Sequence, residues 1–110
     1  AIFNMRTNAT SKELTHKEIE NIIEDFGKAA KRVKDAGFDG VEIHGAHGYL
    51  LSQFFSPLTN KRTDLYGGEV LNRIRLHLEV IKKVREVVGE EYPVFIRLGA
   101  SDYAEGGVTL

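Results

Sequence analysis

His44, His47 and Tyr49 fall within six residues, at the end of the run Val41-Glu42-Ile43-His44-Gly45-Ala46-His47-Gly48-Tyr49. Each imidazole can donate an N–H and the phenol can donate its proton. Together they can hold an oxygen atom and protonate an atom beside it. Three plainer readings compete. A histidine at a strand end is commonly structural or solvated, and a tyrosine can be a packed ring whose hydroxyl is satisfied elsewhere. His44 and His47 also have the spacing of a metal pair, but a metal-dependent hydrolase needs at least one more ligand, and none stands nearby in the sequence.

The elements that must position these rings follow from periodicity. Thr15-His16-Lys17-Glu18 is a capping box. After it Ile19, Ile22, Ile23, Phe26, Ala29, Ala30 and Val33 recur at helical spacing, and Gly37 stops the helix. Phe38 to His44 is the first predicted strand. Residues 45–68 show no sustained period, apart from an irregular turn or two over Tyr49 to Phe55. A second helix is predicted from Val70 to Val88, with Leu71, Ile74, Leu78, Ile81, Val84 and Val88 as its buried stripe and Glu79–Lys83 as an i,i+4 pair. Pro93 opens a second strand that runs on through Val94 to Leu98. Residues 1–14 and 99–110 read as loops, the latter with a Gly106-Gly107 turn. His16 and His77 are expected at the surface, and Lys12, Lys17, Lys28, Lys31 and Lys34 on a solvated helix face.

Helix, strand, helix, strand implies two parallel strands joined by a helical crossover. Strand parity puts Val41 and Ile43 on one face and Glu42 and His44 on the other; Val94, Ile96 and Leu98 oppose Phe95 and Arg97 in the same way. His44 and Arg97 therefore meet near the carboxyl ends of neighbouring strands, where (βα)8 barrels build their sites. A buried Arg97 needs a partner or a ligand, and Glu42 is one candidate partner. Two strands cannot close a parallel core. The expectation is an α/β fold in which these residues are a segment of a larger domain.

Composition narrows the function classes. The 110 residues are 42% hydrophobic and 28% charged, with a net charge of −1. That excludes a disordered chain and gives no electrostatic case for nucleic acid or an anionic membrane. No apolar run approaches the roughly 18–20 residues of a membrane helix, and no signal peptide is visible. The absence of cysteine removes disulfides and thiol nucleophiles and is consistent with a cytoplasmic location.

The run HGAHGYLLSQFFSPLTNKRTDLYGG, then NRIR, the approach FDGVEIH and the later strand PVFIRL together resemble the Old Yellow Enzyme family of flavin-dependent ene-reductases and NAD(P)H:flavin oxidoreductases. The resemblance covers essentially the whole chain. It implies a (βα)8 TIM barrel carrying FMN, with residues 1–110 as a partial domain running from about the third helix through the fifth strand. It implies NADH or NADPH as reductant and a small alkene or quinone-like molecule as acceptor. His44 and His47 would bind the acceptor's oxygen, Tyr49 would bind it and give the proton, and Arg97 would lie against the flavin. Arg62, Asp64, Tyr66, Gly67, Gly68, Asn72, Arg73 and Arg75 would be loop architecture. One departure is Glu69, where serine is common in the family. The family's FMN-phosphate elements would lie beyond residue 110 and other flavin contacts before residue 1. The rival expectation is therefore a catalytically silent fragment without flavin. The resemblance is compatible with a homo-oligomeric full-length protein.

Overall fold

The computed structural model describes residues 3–4 and 8–109. It opens with β1 (Phe3–Asn4) and β2 (Ala9–Thr10), paired antiparallel with Phe3 opposite Thr10. The loop expected over residues 1–14 is corrected at these four positions and holds over residues 11–14, while residues 1–2 and 5–7 lie outside the described residues. Two-residue strands are held by backbone pairing and leave no apolar period to read. Their one sequence signal is Asn8, which takes a left-handed turn position at φ +51°, a conformation asparagine tolerates.

Helix α1 (His16–Asp35) starts at the predicted capping box: Glu18 N donates to Thr15 Oγ1 at 3.2 Å, and Thr15 N donates to Glu18 Oε2 at 2.8 Å. Lys12 lies 2.5 Å from the other Glu18 oxygen. Lys12 first, then Thr15, hold the Glu18 carboxyl down at about 2. At the far end Gly37, at φ +84°, donates to the Lys34 carbonyl, and Phe38 N donates to the Val33 carbonyl. This closure satisfies carbonyls that the helix end leaves free. Ile19, Gly27 and Ala30 are buried, whereas Ala29, placed on the inner face by spacing, is exposed.

The sheet of β3 (Val41–Gly45) and β4 (Val94–Leu98) is parallel, in register from Val41 opposite Val94 to Gly45 opposite Leu98. The crossover is as expected. The first strand begins later than predicted because Phe38 is already engaged: its N–H closes α1, and its carbonyl accepts the Tyr92 hydroxyl at 2.6 Å. The pleat follows parity, with Ile43 buried while Glu42, His44, Phe95 and Arg97 are exposed together on the open face. Leu98 departs from it and is exposed. It lies at the end of the sheet opposite Gly45, which offers no side chain to pack on.

After the short helix α2 (Leu50–Phe55), the predicted second helix is two helices, α3 (Val70–Arg73) and α4 (Arg75–Val88), divided at Ile74. The buried face of α4 is Leu76, His77, Val80, Val84 and Val88. Leu71 and Leu78, expected inside, are exposed. Both stripes have helical spacing and share Val84 and Val88. Packing on α1 and the sheet selects the one that a histidine interrupts. The expected Glu79–Lys83 pair is also replaced: Glu79 accepts the Tyr66 hydroxyl at 2.8 Å, and Lys83 reaches Glu24 on α1 at 2.8 Å. Lys34, expected to be solvated, donates to the Val88 carbonyl at 2.6 Å and ties the ends of α1 and α4 together.

His77 contradicts its expected surface position most clearly. It is 4% exposed, its ring meets Phe55 edge-on at 6.0 Å, and neither ring nitrogen has a hydrogen-bond partner. Burial pushes its pKa below the usual value. Below about pH 6.5 the unfolded chain therefore takes up a proton that the folded chain refuses, and stability falls as pH falls. Replacing His77 by leucine in the full-length protein should flatten the decline in melting temperature between about pH 7.5 and 5.5. Equal declines in both proteins would contradict this.

Candidate active site

Strand β3 carries His44 out at its end, on the open face of the sheet. Gly45 must follow: a Cβ there would sit 2.9 Å from the Arg97 carbonyl oxygen and 3.1 Å from the Leu98 side chain. Ala46 is buried. The chain then reverses through two consecutive left-handed residues, His47 at φ +58° and Gly48 at φ +73°. Tyr49 N closes the turn on the Ala46 carbonyl at 3.2 Å. Tyr49 is also the N-cap of α2 (Leu50–Phe55), whose Leu51 and Phe54 anchor it in the core.

This turn brings the three predicted rings together. The His44 centroid lies 5.3 Å from that of His47 and 5.3 Å from that of Tyr49, at interplanar angles of 60° and 58°. A left-handed non-glycine residue costs on the order of 1–3 kcal/mol, and here it turns the His47 ring toward His44. Arg97 stands directly opposite His44 in the β3–β4 register. Glu42, its candidate partner, is opposite Phe95 instead, and among the described residues no ion pair holds Arg97.

The contrast with the following loop is chemical. Among the described residues the polar ends of His44, His47, Tyr49 and Arg97 have no protein hydrogen-bond partner, while most of the polar loop side chains are engaged. Arg62 donates to the Leu14 carbonyl at 2.7 Å and grips Asp64 through Nε and Nη2. Arg62 first, with His16 2.7 Å away, holds the Asp64 carboxyl well below the usual range. His16 therefore has a specific partner, although its ring is largely exposed. Burial and then Glu79 push the Tyr66 phenol up to about 12. Arg73 donates to the Phe55 and Gly68 carbonyls, and Arg75 to the Leu65 carbonyl and Asn72 Oδ1. These residues build the loop, as expected.

Several supports carried no sequence signal. Asn60 donates to the Phe54 carbonyl at 2.6 Å and Thr59 to that of Gln53 at 2.7 Å, so both hold the end of α2. The segment after β4 folds back through Asp102, which accepts from Ser56 Oγ at 2.6 Å and Val108 N at 2.7 Å. The predicted Gly106-Gly107 turn lies within it, with Gly107 N on the Ala104 carbonyl. Single Asn, Thr and Ser residues serve equally well as solvated loop residues, and only their partners distinguish them. Among the described residues no group of three or more His, Cys, Asp or Glu is placed to hold a metal ion. None of the described helices is long and apolar enough to cross a membrane.

A βαβ unit with donor rings and an unpaired guanidinium at the carboxyl ends of its strands has the arrangement on which α/β barrel enzymes build their sites. Residues 1–110 match the NADH:flavin oxidoreductase / NADH oxidase family, and the chain belongs to it. The family is one of FMN-dependent oxidoreductases that take electrons from NADH or NADPH. A relative described as NADH oxidase, from Thermoanaerobacter brockii, is 54% identical over 99 residues, covering 90% of this chain and 15% of that protein. A solved complex of 2-naphthoyl-CoA reductase with 2-naphthoyl-CoA superposes with a TM-score of 0.86 at 44% identity, covering 89% of this chain and 15% of that one. Old Yellow Enzyme from Pichia sp. AKU4542 matches with a TM-score of 0.79 at 47% identity, over 87% of this chain and 25% of that one. The chain thus spans a small part of the proteins it matches, as a partial barrel would.

Proposed function

We propose that this chain supplies the acceptor-binding part of an FMN-dependent oxidoreductase that reduces activated alkenes, such as enones and enoates, or quinone-like acceptors. In this proposal residues 1–110 run from about the third helix through the fifth strand of a (βα)8 barrel domain, in a cytoplasmic protein. The observation that carries it is the cluster of His44, His47 and Tyr49, three donors with unpaired polar ends on one turn.

FMN, when bound, supplies the hydride that reaches the acceptor's β-carbon. The electron pair of the double bond then moves toward the carbonyl, and negative charge develops on its oxygen. His44 and His47 donate N–H bonds to that oxygen, and preorganised donors of this kind stabilise the charge as it forms. Tyr49 gives its proton to the α-carbon, completing a saturated carbonyl product. Arg97 fits a flavin contact: its guanidinium is unpaired, shares the open face with His44 and suits an electron-rich heteroaromatic edge.

The test is anaerobic mixing of an enone with the full-length, FMN-loaded protein after reduction by NAD(P)H. The expected result is flavin reoxidation with one equivalent of saturated ketone. Reduced flavin that persists with no ketone formed would sink the alkene assignment.

The isolated 110-residue chain is expected to hold no FMN and reduce no alkene. Among the described residues its parallel two-stranded sheet has open edges, and the face bearing Glu42, His44, Phe95 and Arg97 meets water. Size-exclusion chromatography and equilibrium dialysis against FMN check this. A cooperatively melting monomer that binds FMN at micromolar concentration would contradict it.

A further inference from the structure

We propose that Gln53 is a positioning residue for Tyr49, acting through the left-handed turn that carries it. The proposal deepens the functional reading above and rests on it. Gln53 lies on the exposed side of α2, and its side-chain Nε2 donates to the Gly48 carbonyl at 2.7 Å. Its backbone N–H donates to the Tyr49 carbonyl at 2.9 Å. One residue thus holds the peptide groups on both sides of the Tyr49 Cα.

That turn needs holding. His47 and Gly48 are both left-handed, and Tyr49 is a cap without a side-chain cap bond. Tyr49 is itself 58% exposed, so packing does little to fix its ring. The C-terminal end of α2 is secured separately by Asn60, Thr59 and Arg73. At the end that carries Tyr49, the Gln53 amide is the side chain that reaches back to the turn. A rotated Gly48 peptide would swing the phenol away from His44, and misplacement of a reacting group by about 1 Å can cost as much as 100-fold in rate.

Two variants separate the hydrogen bond from packing. Gln53→Met keeps the length and the helix preference but has no donor. Gln53→Glu keeps the shape, but as a carboxylate only accepts hydrogen bonds. Both, in the full-length FMN-loaded protein, should slow reoxidation by a weakly activated enone roughly 10- to 100-fold. Reduction by NAD(P)H should be unchanged, and the melting temperature should move by less than about 2 °C. In a Tyr49→Phe background the further loss from Gln53→Met should shrink below about threefold, because coupled residues are not additive. Full-speed reoxidation in Gln53→Met while Tyr49→Phe is slow would overturn the Gln53 assignment and leave the functional reading standing. An undiminished loss in the Tyr49→Phe background would also overturn it. If Tyr49→Phe itself reoxidises normally, the functional reading falls and the Gln53 assignment falls with it.

Discussion

Replacing Tyr49 by phenylalanine is expected to leave reduction by NAD(P)H intact and to slow alkene reduction by on the order of 10²–10⁴-fold, the usual loss of a general acid. The substitution removes one oxygen atom and keeps the ring, which lies tilted beside His44 with its centroid 5.3 Å away. Among the described residues the hydroxyl has no hydrogen-bond partner, so its removal leaves no protein group orphaned. Whatever is lost is therefore lost from the reaction. Stopped-flow measurement of both half-reactions checks this. The acceptor should be a weakly activated enone, because water can protonate the α-carbon of a strongly activated one. Equal slowing of the two half-reactions would mean that Tyr49 serves the fold.

What was legible in the sequence was local. The Thr15–Glu18 box and the Gly37 stop each lie within one turn of helix, and both hold in the structure. Strand parity placed His44 and Arg97 on one face because a period of two leaves little choice. The short spacing of His44, His47 and Tyr49 kept their rings within reach of one another, and the left-handed turn at His47 and Gly48 brings them together. What was not legible depended on partners far along the chain. Leu78 and His77 traded places because helical spacing allowed two buried stripes, and only docking on α1 and the sheet chose between them. Lys83 and Lys34 found Glu24 and Val88 across the helix pair, contacts to which spacing within one helix is blind. The Phe38 backbone was claimed by α1 and Tyr92, which shortened the strand. In the site, the positive φ of His47 and the reach of Gln53 back to Gly48 are conformational facts with no residue-type signature.

Removing both imidazoles is the second large effect expected. A hydrogen bond to a charged oxygen contributes about 1.5–3 kcal/mol. Replacing His44 and His47 together by alanine should therefore weaken capture of an anionic oxygen by roughly 10²–10⁴-fold. The double variant is more informative than either single one, since the rings touch at 5.3 Å and the survivor can move to the shared oxygen. Both rings are exposed and carry no protein hydrogen bond among the described residues, so their loss should spare folding and flavin content.

In the proposed reaction this turn holds an oxygen on which negative charge develops. A phenolate mimics that oxygen without reacting. The decisive measurement is a phenol titration, followed by the flavin absorbance, of the full-length protein and its His44→Ala/His47→Ala variant at equal FMN content. The structure predicts saturable binding to the parent protein and an affinity weakened by at least about 100-fold in the variant. Equal affinity in the two proteins would contradict it.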